Sequence, residues 1–485
     1  MDEKDIKSLL HISSQTWLKD SNGLFDYESK QTKNLKAFLG QSVSITRKGY
    51  DLNSVKNTSK ENDEEKLFNI IKSPDSIYTI ENPIQTNEEP NEKNVINLNN
   101  KIWYIINQEQ MIISQSNNHF HNINRDYYIS KNDIIKLGRV KYIISEVNIL
   151  DEQGENNKNN LNIPSISHNY INEINAKSDS SFELIYKAKC LNEECNMNIE
   201  NNNNNEEKEK QLCKICYSEE TDNIDNPMVH LCKCKGGLNY AHFECIKKWM
   251  KTKLMIVENT KKTVKSYYIQ CFNCEICKIP YPFRFKINNN NNNDKIYELI
   301  EIERPTKNNY IMLESLNQIK DNCNIKSIHV ISLINNDDIF IGRGHDCDVK
   351  VKDISVSRYH SKIKYNINDN SILIKDLKSK FGTLVLIRNS FEIKEPIQIQ
   401  VGRTYIKAST LNLEQQKKQI ENEQKNTKNL NLEQKSGEKE EIHNNINNIN
   451  NKYEPIETEY KENESEKKID ENNNNNNNNM EIEEN

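Results

Sequence analysis

Residues 213–277 carry CKIC (213–216), CKC (232–234), HFEC (242–245) and CEIC (274–277), four ligand pairs in series. Tetrahedral zinc prefers thiolate and imidazole donors, and two residues between paired cysteines let one turn present both sulfurs to one ion. The candidate ligands are Cys213, Cys216, Cys232, Cys234, His242, Cys245, Cys274 and Cys277. Eight donors close two sites and leave no open position for water, so two zinc ions of structural rather than hydrolytic type are expected. Reduced cysteines packed in a small core would not fall into serial pairs. Cys271 stands three before Cys274, so CFNC (271–274) competes with CEIC as the last pair.

Outward from this cluster the composition turns polar. Of 485 residues, 35% are hydrophobic and 28% charged, and mean hydropathy is -0.89. Much of such a chain cannot bury enough apolar surface to offset its conformational entropy. Asparagine runs at 201–205, 288–293 and 472–479 read as disordered spacers that would set the reach between modules. A net charge of -6 argues against a nucleic-acid partner. No stretch reaches the roughly 18–20 apolar residues of a membrane span, and MDEKDIKSLL has no signal-peptide core. A soluble protein of the cytoplasm and/or nucleus is expected, a reducing setting in which clustered cysteines point to metal.

The expected fold class is multidomain and mostly β with disordered linkers, holding a small two-zinc α+β module and a β-sandwich. Residues 1–95 are polar, with weak helical periodicity around Leu35–Leu39 and no usable motif. Residues 96–150 read as a small β-rich unit from KIWYII (101–106) and YYISKNDIIKLGRVKYIISEV (127–147). Residues 151–205 read as a polar linker, 206–287 as the zinc module and 288–305 as an Asn-rich linker. Short apolar strands at regular spacing over 306–413 predict a sandwich, and 414–485 reads as a disordered tail.

The single residue between Cys232 and Cys234, the seven before His242 and the following Cys245 resemble the RING-variant (RING-CH) family. NPMVHLCKCKGGLNYAHFECIKKWM (226–250) and CEICKIPYPF (274–283) resemble it too, and CEICK favours Cys274 and Cys277 as the last pair. The resemblance implies a cross-brace, with Cys213, Cys216, His242 and Cys245 on one ion and Cys232, Cys234, Cys274 and Cys277 on the other. It also implies a platform for a ubiquitin-conjugating enzyme, at positions matching Ile215, Trp249 and Ile276. Trp249 can equally pack the core. A PHD finger shares the ligand order, with a wider second pair. The chain departs from the family in a Lys-rich insertion, MKTKLMIVENTKKTVKSYY (250–268), and Cys190 and Cys195 lie upstream without evident partners.

DIFIGRGHDCDVKVKDISVSRYHSKIKY (338–365) and IKDLKSKFGTLVL (374–386) resemble the forkhead-associated (FHA) domain, a sandwich whose loops bind phosphothreonine peptides. Arg343, Ser357, Arg358 and Lys380 match its phosphopeptide-binding positions, and His360 matches an internal loop brace. A guanidinium fork and a hydroxyl suit phosphate oxygens; the plainer role for Arg343 is an ion pair with Asp346 or Asp348. Phe381 stands where the family often has Asn. NDIIKLGRVKYII (132–144) echoes IQIQVGRTYIKA (397–408), as either a degenerate second FHA-like sandwich or an unrelated β unit. The combined expectation is a soluble RING-type ubiquitin ligase that recruits a threonine-phosphorylated protein. The alternatives are a non-catalytic phosphopeptide adaptor and a PHD-like histone-tail reader.

Overall fold

A computed structural model describes residues 9–18, 24, 31–49, 51–55, 65–81, 98, 101–106, 127–150, 186–190, 212–219, 225–287, 295–316, 325–334, 337–394 and 396–411. The chain is mostly β, with one α-helix, α1 (Phe243–Lys251), among these residues. The three Asn runs, Cys195 and the tail from 414 lie outside them.

Among the described residues, twelve strands form one continuous sheet, flanked by three five-stranded sheets. Its middle is the antiparallel pair Ile102–Ile106 and Thr383–Leu386, with Thr383 opposite Ile106. On one side follow Ile397–Val401, Thr404–Leu411, Leu9–Trp17 and Thr32–Leu39. On the other follow Ile134–Leu137, Val140–Asn148, Tyr310–Ser315 and Lys326–Ser332. One five-stranded sheet (Phe391–Glu392, Tyr78–Glu81, Glu65–Lys72, Val43–Lys48, Asp51–Val55) completes an N-terminal sandwich. Another (Val349–Lys350, Asp338–Gly342, Ser361–Asn366, Ser371–Asp376, Tyr127–Tyr128) completes a C-terminal one. Their inner faces share one apolar cluster that includes Leu10, Phe68, Tyr104, Tyr127, Ile341, Ile374 and Ile399.

The described residues between 9 and 81 are mainly strands, including Thr32–Leu39, where the sequence predicts weak helical periodicity. That stretch becomes a strand because it pairs along its length with Leu9–Trp17, Leu10 opposite Leu39. In Leu9–Trp17 alternate residues are buried, but Ser14 and Thr16 occupy inward positions and hide the alternation. Thr16 and Thr404 answer each other by a hydroxyl contact of 3.2 Å.

The described residues of 96–150 form no sheet of their own. Tyr127–Tyr128 pairs with Ser371–Asp376, Ile134–Leu137 with Thr383–Leu386, and Val140–Asn148 with Tyr310–Ser315. Conversely, Phe391–Glu392 pairs with Tyr78–Glu81, and Thr404–Leu411 with Leu9–Trp17.

The zinc module has its own sheet, in the order Ala241–His242, Met228–His230, Tyr186–Cys190, Arg284–Ile287 and Ile296–Glu298. The stretches read as linkers before 206 and after 287 each supply a strand. Tyr297, Leu299, Ile300 and Ile302 are buried in its core, so the module's packing runs past the Asn run. Helix α1 buries Phe243, Ile246 and Met250 along one face. Phe243, Phe285 and Tyr297 meet with ring centroids 5.2–5.8 Å apart. His242 offers no side-chain cap; the first-turn N–H groups of Phe243 and Glu244 donate instead to the Pro227 carbonyl (2.9 Å) and to Asn226 Oδ1 (2.9 Å).

The Lys-rich insertion is a hairpin, Leu254–Glu258 and Val264–Ile269, and its second strand pairs with Lys326–Ser332 from Val264↔Ile331 to Ile269↔Lys326. The hairpin extends the twelve-stranded sheet, so direct strand pairing joins the zinc module to the C-terminal sandwich. At the seam His329 is fully buried, 2.8 Å from Ser266 Oγ and 3.4 Å from Tyr142 Oη. A bulge at Ile144/Glu146 turns Glu146 off the core face. There it accepts from Arg284 (2.5 Å), Arg304 (2.8 Å) and Tyr310 (3.1 Å).

Candidate metal centre and anion-facing loops

The first ligand pair sits in a tight knuckle. Tyr217 N–H donates to the Cys213 carbonyl (2.8 Å), Cys213 N–H to that of Ser218 (2.9 Å), and Tyr217 takes φ 59. The last pair repeats the pattern: Lys278 N–H to Cys274 O (2.9 Å), Cys274 N–H to Ile279 O (2.9 Å), Lys278 at φ 59. Two equivalent turns thus present Cys213 with Cys216 and Cys274 with Cys277. Helix α1 supplies Cys245 in its first turn, with His242 just before it.

These elements bring the donors into two groups, Cys213–Cys216–His242–Cys245 and Cys232–Cys234–Cys274–Cys277, with donor atoms within 4.8 Å of one another. Cys271 belongs to neither group. Zinc–sulfur bonds of about 2.3 Å imply tetrahedral edges of about 3.8 Å. Cys234 Sγ lies 3.6 Å from Cys274 Sγ, and His242 Nδ1 lies 3.3 and 3.8 Å from the sulfurs of Cys216 and Cys245. His242 Nε2 is 3.1 Å from the Glu219 carbonyl, an acceptor only, so Nε2 carries the proton and Nδ1 keeps its lone pair for the metal. The residues fit two zinc ions in a cross-brace. Lys214 Nζ approaches Cys232 Sγ (3.1 Å) and Cys274 Sγ (3.7 Å), setting a cation against the all-thiolate site. Burial opposes that charge, yet the Cys232 bond and the nearby sulfurs hold the Lys214 pKa above its ordinary value.

Ile215, Trp249 and Ile276 are exposed by 38%, 40% and 55%, so Trp249 lies on the outer face and not in the core. Lys253 covers the Trp249 ring at 4.7 Å and pairs with Glu275, which places Trp249 and Ile276 on one surface.

In the C-terminal sandwich, Arg343 N–H donates to Ser357 O and Gly344 N–H to Arg358 O, both at 3.0 Å. Gly342 is needed there because a Cβ would sit 2.1 Å from the Arg358 carbonyl. His360 accepts from Ser357 N–H at Nδ1 (3.1 Å) and so donates from Nε2 to Gly382 O (3.1 Å), an internal brace between two loops. Asp376 holds the second loop through Ser379 and Thr383, both at 2.6 Å. Lys380 N–H donates to Ser357 Oγ (3.1 Å), which leaves the Ser357 hydroxyl proton free to donate outward. Arg343 and Arg358 are exposed and carry no ion pair among the described residues. Asp346 and Asp348 are engaged elsewhere, by Tyr359 Oη and by the Phe340 N–H. The loops therefore gather outward donors with nothing neutralising the guanidinium groups.

Residues 213–277 match the RING-variant domain model and residues 339–406 the FHA domain model, so the chain carries one domain of each class. Over the zinc region it is 36% identical across 74 residues to the "ERAD-associated E3 ubiquitin-protein ligase DOA10" of Saccharomyces cerevisiae, covering 15% of this chain and 5% of that one. It is 34% identical across 71 residues to the "E3 ubiquitin-protein ligase MARCHF7" of Rattus norvegicus, covering 15% of this chain and 9% of that one. The chain thus spans under a tenth of either relative's length. Among solved structures, the FHA domain of the CT664 protein from Chlamydia trachomatis is 22% identical with a TM-score of 0.12, covering 21% of this chain and 96% of that one. Among the described residues no helix is long and apolar enough to cross a membrane.

Proposed function

We propose that this protein is a RING-type ubiquitin ligase whose zinc module holds a charged ubiquitin-conjugating enzyme while its FHA domain captures a threonine-phosphorylated partner. The observation that carries the reading is the sheet shared by the two modules through Val264–Ile269 and Lys326–Ser332. One rigid connection keeps a captured protein at a set distance from the thioester. The zinc ions would hold the platform's shape and take no part in bond making. Transfer would gain its rate from orientation, with Ile215, Trp249 and Ile276 as the enzyme's footing. Arg343 and Ser357 would grip the phosphate, with Arg358 and Lys380 adding positive potential. Thiolate-rich sites suit the reducing cytoplasm or nucleus as the setting.

Ubiquitination in vitro with a panel of conjugating enzymes tests the proposal. Ubiquitin chains are expected with at least one enzyme and are expected to vanish in Ile215→Ala. No transfer from a zinc-loaded protein that still binds a phosphopeptide would leave a phosphopeptide adaptor.

A further inference from the structure

The sandwiches close on turns of like sequence, Leu137-Gly138-Arg139 and Val401-Gly402-Arg403, with glycine φ of 57 and 54. The strands around them are related in register as well. Leu137 stands opposite Thr383, and Val401 opposite Ile102. At the centre Thr383 faces Ile106, and Ile387 N–H reaches Ile102 O at 2.9 Å. Since 383 − 102 and 387 − 106 both give 281, the two central contacts map onto each other about a local two-fold. After each central strand the chain continues into the sandwich that it did not begin. The FHA match, by contrast, runs unbroken over 339–406, through strands that lie in different sandwiches.

We infer that the chain holds two like sandwiches that have exchanged their closing hairpins, and that the Gly138-Arg139 turn is the positioning element of the anion-facing loop more than two hundred residues later. Arg139 N–H donates to Ser355 Oγ (2.9 Å), and its guanidinium reaches Asp353 Oδ1 (3.2 Å). Asp353 Oδ1 also accepts from Ser355 N–H (2.8 Å) and Oγ (2.6 Å), so the turn fixes the segment that leads into Ser357 and Arg358. Contact is close: a Cβ on Gly138 would lie 2.4 Å from Ser355 Oγ. The partner sandwich has the same scaffold without the chemistry. Arg47, next to last in the strand Val43–Lys48, is buried against Glu65 and Thr404 Oγ1 (3.2 Å), whereas Arg343, just after Asp338–Gly342, is exposed.

The binding arm of the test rests on the phosphate reading above; the crosslinking arm does not. In the full-length protein, Gly138→Ala is expected to weaken binding of a phosphothreonine peptide about ten-fold, roughly 1.4 kcal/mol, while Gly402→Ala leaves it within about two-fold. Arg139→Ala should weaken binding and Arg139→Lys, which keeps a cation for Asp353, should restore most of it. If Gly402→Ala is the damaging change, the loop is braced by its own hairpin and the inference falls. Opposed strand residues lie within disulfide reach. Oxidation of Leu137→Cys/Thr383→Cys should therefore give a bridge within one chain, located by peptide mass mapping, and Thr383→Cys/Val401→Cys should give none. A 383–401 bridge, or a 137–383 bridge found only in covalent dimers, overturns the exchange even if no phosphopeptide binds.

Discussion

At the residue scale, the proposed phosphate grip rests first on the Arg343 guanidinium. Arg343→Ala should weaken a phosphothreonine peptide by about ten- to a hundred-fold, since hydrogen bonds to charged groups are worth roughly 1.5–3 kcal/mol. Arg343→Lys keeps the charge, loses the fork and should recover only part of the loss in an isothermal titration. In the zinc module the turn geometry separates neighbouring thiols. Cys271→Ser should leave two zinc ions per chain by metal analysis, whereas Cys274→Ser, which removes a donor from the all-cysteine group, should not. The grouped zinc donors were legible in the sequence because ligand pairs use local spacing, and the loop motifs around Arg343 and Ser357 stood out for the same reason. Glu219, Lys214 and Asp353 were not: each acts through a backbone atom or an ordinary side chain whose neighbour lies elsewhere in the fold.

At the element scale, the hairpin Leu254–Ile269 was visible only as a departure from family length. Its strand pattern is apolar on exposed as well as buried positions, with Met255, Ile256 and Val257 all exposed, so periodicity did not mark it. Asn259 holds the turn by accepting from Thr263 and Val264 N–H at 2.9 Å, and its amide donates to Asp348 at 2.8 Å. Asn259→Ala should cost about 1–3 kcal/mol locally through the buried partners it leaves. The seam should also respond to pH. Burial holds His329 neutral, lowering its pKa from 6.5 to about 3, with Tyr142 and Tyr268 against its ring. A depressed folded pKa means that the opened seam takes up a proton that the closed one refuses. The stabilisation is full above about pH 6.5 and is lost progressively as pH falls toward 3. Protection factors against hydrogen exchange at Ser266–Ile269, taken relative to the intrinsic exchange rate at each pH, should fall between pH 7 and 5, and His329→Gln should flatten that dependence.

At the scale of the whole molecule, Glu146 ties the strand Val140–Asn148 to the zinc module. Burial raises its pKa, but the bond to Arg304 and the charges of Arg284 and Arg304 outweigh that and hold it below its ordinary value. Glu146→Gln should destabilise both modules together, because two guanidinium groups lose a shared, half-buried partner; one cooperative thermal transition shifted downward would show it. The mostly β class was legible from short apolar runs and turn residues. Their assortment between sandwiches was not, since Leu137-Gly138-Arg139 and Val401-Gly402-Arg403 fit either partner equally well. That assortment bears on how the protein is made. Leu9 pairs with Leu411, so the first described strand waits for the last described one, and the strands at 310–386 close on a hairpin synthesised long before. Contacts of such span form slowly. A chain halted on the ribosome after its zinc ligands has neither sandwich complete and lacks Lys326–Ser332, the strand on which the zinc module's hairpin seats. Premature termination therefore yields a zinc module without its fixed bearing, and only a chain that reaches its last described strand holds the zinc module and both sandwiches in register.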